Sequence, residues 1–184
     1  VVYCYDFLEQ NEKAIEYLES FINRNPYSEV AWHQLGRQYY ALKNYEKAVW
    51  AFDYATIIDD TFLGAFMEKG KSLEKLKRYE EAIESFKTTI ELDDPTSFAL
   101  LRIGKCYERL GNREKALKYY HKTVHEDPLL DKGWIAITDF YIRQKNFQKA
   151  LYYVNKAIGI DGENSFYWKR YAAINEALNF YEEA

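Results

Sequence analysis

The chain has 184 residues, 48% of them hydrophobic and 29% charged, a balance that suits a folded domain and excludes a disordered or low-complexity chain. Its formal net charge of -4 and pI near 5.5 argue against bulk attraction to nucleic acid or to an anionic membrane. Cys4 and Cys106 are the only cysteines and form no Cys-x-x-Cys pair, so neither a disulfide framework nor a zinc site is expected, and a reducing, cytoplasmic setting fits best. No run of 18 apolar residues and no basic segment leading into an apolar one is present, so neither a membrane span nor a signal peptide is expected.

The opening residues, Tyr5 to Phe21, read as the latter part of a helix pair whose pattern then recurs along the chain. Laid against itself at an offset of 34, the sequence aligns Ala14, Ala48, Ala82, Ala116, Ala150 and Ala184 in one column. Gly36, Gly70 and Gly104 form a second small column that continues as Thr138 and Ala172. Large groups fill the intervals: Tyr5, Tyr39, Leu73, Tyr107 and Tyr141 in one column, Leu18, Phe52, Phe86, Tyr120 and Val154 in another. Trp32, Phe66, Leu100, Trp134 and Trp168 open each unit, and Phe21, Ala55, Thr89, Thr123 and Ala157 close it. Small columns facing large ones predict two helices in close contact within every unit, because apolar residues recur at spacings of three and four on both sides of a short polar break.

The breaks carry capping chemistry. Asn44, Asn112 and Asn146 precede the second helices, where an Asn side chain accepts from an otherwise unpaired backbone N–H, and Gly111 precedes one of them. Units end in Asn25-Pro26, Asp59-Asp60, Asp93-Asp94-Pro95, Asp127-Pro128 and Asp161-Gly162, residues that stop one helix and start the next.

Trp32-x-x-Leu35-Gly36-x-x-Tyr39 followed by Ala48-x-x-x-Phe52 resembles the tetratricopeptide repeat signature residue for residue, and the later units match it with substitutions. The departures are Thr138 and Ala172 in place of glycine and Asp60 where proline is usual. The resemblance covers essentially the whole chain. It implies an all-α fold, a right-handed superhelical α-solenoid of stacked antiparallel helix pairs. It divides residues 1–184 into a partial repeat (1–28), four full repeats (29–62, 63–96, 97–130, 131–164) and the first helix of a truncated one (165–184). The final Tyr181-Glu182-Glu183-Ala184 copies Tyr79-Glu80-Glu81-Ala82, the start of a second helix, so a segment of a longer protein is expected.

Catalytic chemistry has no foothold in the pattern. Gly64 to Ser72 resembles a phosphate-binding loop but has five residues between its glycines where four are required, and Gly70 belongs to the packing column. His121 and His125 share a helical face but lack further ligands, and His33 stands alone, so no metal, no cofactor and no enzymatic activity are expected. Many of the 18 tyrosines follow the repeat periodicity, which makes packing rather than base stacking their expected role.

Function is therefore expected on the inner face that stacked first helices line in this family. The resemblance places there His33, Arg37, Tyr40, Met67, Lys71, Glu74 and Lys75, followed by Phe98, Leu101, Arg102, Lys105, Glu108 and Arg109, and then Ile135, Asp139 and Arg143. Lys132, Ile142, Phe166, Lys169 and Glu176 complete the same face. Arg37, Lys71 and Lys105 would form a basic ladder, and His33, Met67, Leu101 and Ile135 a column that becomes apolar. The expected partner is a protein or peptide segment with acidic groups beside hydrophobic anchors, with no nucleic acid and no membrane span; oligomeric state is open. Relatives that grip a chaperone's C-terminal carboxylate use a Lys and Asn clamp, whose Asn position is Arg37, Lys71 or Lys105 here. Two other readings stay open: an interaction or targeting arm of an enzyme or assembly factor encoded beyond this segment, and single-stranded RNA binding of the kind other helical repeats perform.

Overall fold

The computed structural model describes residues 11–93 and 96–182. Cys4, Tyr5, the Asp94-Pro95 step and Ala184 lie outside the described residues. The chain is all-α, and the ten helices among the described residues pack as sequential antiparallel pairs. They fall into two compact units, Val1–Asp94 and Pro95–Ala184. The first holds α1 (Asn11–Arg24), α2 (Glu29–Ala41), α3 (Tyr45–Ile58), α4 (Leu63–Lys75) and α5 (Tyr79–Leu92). The second holds α6 (Ser97–Arg109), α7 (Arg113–Glu126), α8 (Asp131–Arg143), α9 (Phe147–Ile160) and α10 (Ser165–Glu182).

Within each pair the contact follows from side-chain size. Ala14, Ala48, Ala82, Ala116 and Ala150 are fully buried, and so are Phe52, Phe86 and Val154. The rings of Phe52, Phe86 and Tyr120 press against Gly36, Gly70 and Gly104, so closely that a Cβ on these glycines would sit 2.5 to 2.6 Å from ring carbon. Where the glycine becomes Thr138, the partner shrinks to Val154, and the threonine hydroxyl donates to the Trp134 carbonyl, 2.9 Å away. Volume is thus conserved across the contact while its chemistry changes.

The turns use a conformation that the sequence only partly signals. Lys43, Lys77, Gly111 and Lys145 occupy the same place after the first helices and all have positive φ, between 55° and 77°. This left-handed residue lets the backbone N–H groups fold back onto the last carbonyls of the helix. Asn44, Asn112 and Asn146 then cap the second helices, accepting from the N–H of Lys47, Lys115 and Lys149. Arg78 takes the equivalent place before α5 and bridges Glu81 and Glu46 instead. Three loops are tethered by tryptophan: the indole N–H of Trp32, Trp134 and Trp168 donates to the carbonyl of Pro26, Pro128 and Gly162.

One expectation is corrected at the last helix. α10 runs 18 residues where the other first helices run 13, and it continues through 178–180 into Tyr181 and Glu182. The turn expected before Tyr181 is not made, because no residue there adopts positive φ and a continued helix satisfies each backbone group with one bond per residue added.

Two glycines separate packing from propensity. Gly70→Ala forces a Cβ into the Phe86 ring and is expected to destabilise by about 1–3 kcal/mol. Gly159→Ala, in α9 with open space around the new methyl, is expected to stabilise by about 0.5–1 kcal/mol. Urea titrations showing the same sign for both would contradict the ring-on-glycine contact.

Candidate interaction face

In the first unit, α2 and α4 touch directly and present the first-helix residues. His33 points into the junction with α3 and α4, its ring 5.6 Å from that of Phe52 and 4.8 Å from that of Phe62. Its Nε2 is buried without a hydrogen-bond partner of ordinary geometry. Burial pushes the imidazole below its usual value and the neighbouring Arg37 charge pushes the same way; Glu68 and the Gly64 backbone act weakly against them. His33 is therefore held neutral.

Arg37, just past the packed Gly36, is exposed and makes no hydrogen bond or ion pair with the described residues. Lys71 is half-buried and reaches Glu68 at 2.8 Å. Tyr40 is half-buried with its ring 5.3 Å from Tyr45, Met67 and Glu74 are half-buried, and Lys75 is exposed. This face thus offers an exposed guanidinium beside partly apolar surface.

The second unit treats the same positions differently. Leu101 is 3% and Ile135 9% exposed, which removes both from the solvent-facing surface expected of them. Leu101 packs with Tyr120, Ala136 and Ile137, and Ile135 with Val154, Tyr167 and Ile174. The reason is geometric: this position on a first helix turns toward the next helix pair, where an apolar side chain gains by leaving water. His33 occupies the corresponding place in the first unit, which accounts for its burial.

Several of the charges are also committed. Arg143 pairs with Glu108, which accepts a further bond from the Tyr120 hydroxyl. Arg170 clasps Asp139 through both carboxylate oxygens at 2.7 and 2.9 Å. Arg102 stacks 4.9 Å from the Phe98 ring, while Lys105 and Arg109 are exposed. Lys132, Phe166, Lys169 and Glu176 are exposed too, and Ile142 is half-buried. Glu108, Asp139 and Arg143 are better understood as fasteners between successive first helices than as ligand contacts. Arg170 was not among the expected face residues; its signal was an opposite charge about one repeat from Asp139.

A parallel regularity is not apparent from the repeat pattern. Lys47, Lys115 and Lys149 each lie 5.2 Å from the ring of Tyr39, Tyr107 and Tyr141, closing each hairpin near its turn. Tyr39 also donates to Glu19 at 2.7 Å, and burial together with that bond raises its hydroxyl to about 12. Among the described residues no group of three or more His, Cys, Asp or Glu could hold a metal, and no helix is long and apolar enough to cross a membrane. Cys106 is buried.

These helix pairs, their small columns and their turns match known proteins. A tetratricopeptide repeat profile fits residues 98–129, and the profile of subunit 3 of the anaphase-promoting complex, or cyclosome, fits residues 7–89. The crystal structure of MamA superposes with a TM-score of 0.83 at 19% identity, covering 89% of this chain and 95% of that one. The chain has the tetratricopeptide-repeat fold, and residues 98–129 carry the repeat itself. PilW, a type IV pilus biogenesis factor, superposes with a TM-score of 0.79 at 21% identity, covering 97% of this chain and 83% of its own. YrrB, described as a tetratricopeptide-repeat protein with an unusual peptide-binding site, gives 0.75 at 20% identity, with 91% and 87% covered. No curated protein sequence matches significantly. At these identities the structures share the fold.

The buried neutral His33 sets a pH dependence whose sign is fixed. Its folded value lies below the 6.5 of the free side chain, so the unfolded chain takes up a proton first. The stabilisation is complete above pH 6.5 and lost as pH falls through that value toward the depressed folded one. His121, also lowered by burial, adds a slope of the same sign. In thermal melts from about pH 7.5 to about 5.5, His33→Gln is expected to flatten the decline in melting temperature, whatever its effect at the upper end. An unchanged slope would show that His33 titrates normally.

Proposed function

We propose that this helix-pair array is an interaction scaffold and that the α2–α4 face of its first unit binds an extended or helical protein segment carrying a carboxylate beside an apolar residue. The observation that carries this reading is Arg37, an exposed guanidinium with no partner within the described chain, flanked on its own helix by a histidine held neutral and by half-buried Tyr40, with half-buried Met67 on the neighbouring first helix. A planar guanidinium offers two parallel donors to a carboxylate, so it can orient as well as attract. Lys71 is within the same face but already shares Glu68, which makes it a secondary contributor.

An exposed pair of this kind contributes only about 0.2–1 kcal/mol, so most of the affinity must come from an apolar side chain set against Met67 and Tyr40. In the second unit the pairs Glu108–Arg143 and Asp139–Arg170 and the buried Leu101 and Ile135 are withdrawn from such a ligand. The binding face is therefore narrower than a basic ladder running the length of the array.

An array of fluorescent peptides, each with one leucine or phenylalanine flanked by acidic, neutral or basic residues, tests it by anisotropy. The acidic set should bind best, and Arg37→Glu should weaken it by about two- to tenfold without affecting the neutral set. A preference for basic peptides, or identical binding by the variant, would remove Arg37 from the site.

A further inference from the structure

The charges of this chain are segregated by unit and, within the units, by helix. Residues 1–94 contain 18 acidic and 11 basic residues, whereas residues 95–184 contain 11 acidic and 14 basic. The imbalance is concentrated on the second helices. In the first unit α3 and α5 together carry six acidic residues and two basic ones. In the second unit α7 and α9 carry six basic residues and two acidic ones.

Each set forms one surface. Arg78, the residue before α5, reaches back to Glu46 on α3, and the His121 ring on α7 lies 6.0 Å from that of Tyr153 on α9. On the acidic surface Glu46 and Glu81 pair with Arg78, Asp53 with Lys69 and Glu84 with Lys87, whereas Glu80 and Glu91 are exposed and make no ion pair with the described residues. On the basic surface Lys118 is likewise exposed and unpaired, and Lys122 and Lys156 lie 5.2 and 5.3 Å from tyrosine rings rather than beside carboxylates. Both surfaces also expose aromatic area: Trp50 and Tyr54 are 45% and 41% exposed on α3, and Tyr152 is 57% exposed on α9. Aromatic anchors ringed by charge are the composition of a protein-binding surface.

We infer that the basic α7–α9 surface of one molecule docks on the acidic α3–α5 surface of a second copy of this chain. Charge complementarity selects the occupant: like surfaces repel, unlike ones attract, and the contact is heterologous, so each copy uses both surfaces. Size sets its strength. Two adjacent 14-residue helices, each about 21 Å long, offer roughly 400 Å² per partner, which places the contact in the weak, salt-sensitive class. Both surfaces lie on second helices, so docking does not depend on the ligand face of α2 and α4.

Sedimentation velocity on the intact chain at rising protein concentration tests it, at about 20 mM and about 500 mM salt. Species larger than the monomer should appear at low salt and disappear at high salt. Lys118→Glu, Lys122→Glu and Lys156→Glu combined leave both surfaces acidic, and Glu80→Lys, Glu84→Lys and Glu91→Lys combined leave both basic. Each triple variant, confirmed as helical by circular dichroism, should remain monomeric alone, and an equimolar mixture of the two should associate again. A wild-type chain that stays monomeric at low salt overturns the inference, as does association of either variant by itself. Capture of poly-uridine RNA or phosphatidylserine vesicles by the basic surface, with the protein still monomeric, would equally overturn it.

Discussion

The approach of an aromatic ring to a residue with no side chain is the contact on which the rest of the structure depends. Phe52 on Gly36, Phe86 on Gly70 and Tyr120 on Gly104 bring the two helices of a pair closer than any larger residue permits. That closeness buries the alanine column completely and fixes which faces remain for neighbours and for solvent. Dispersion grows steeply as atoms come into contact, so a ring pressed onto bare backbone is worth more than its area alone suggests. Thr138 against Val154 shows that the rule concerns total volume rather than glycine as such.

This contact is also what made the fold legible. A small residue every 34 positions, opposed by a large one at constant offset, leaves few alternatives to a stacked helix pair. The interaction face was less legible because a first helix has three surroundings: its own second helix, the next pair, and water. Leu101 and Ile135 were expected to face water and belong to the next pair, and one apolar residue per turn cannot distinguish the two. Charges were similarly ambiguous. The signs of Glu108, Arg143, Asp139 and Arg170 are visible in the sequence, but their mutual pairing depends on how successive first helices are offset. The left-handed turn residue was visible only at Gly111, since lysine gives no hint that it will adopt positive φ.

Two kinds of electrostatics coexist in the array. Inside each unit, ion pairs and Lys–Tyr contacts hold helices to one another and are consumed by the fold. On the outside, unmatched charges are sorted by helix and remain available. The net charge of -4 understates the second kind, because the basic surplus of the second unit offsets part of the acidic surplus of the first.

The lysines at positive φ carry a consequence for how the protein responds to its solvent. A non-glycine residue in the left-handed region costs about 1–2 kcal/mol, whereas a cation at a helix C-terminus returns about 0.3–1 kcal/mol through the macrodipole. Lys43, Lys77 and Lys145 combine the two, so each turn is a slightly strained hinge whose tension is relieved by an interaction that salt screens. Ring-on-glycine packing is indifferent to ionic strength. Ionic strength therefore acts on the hairpin elbows through these lysines, whereas the ring-on-glycine cores carry no charge for it to screen.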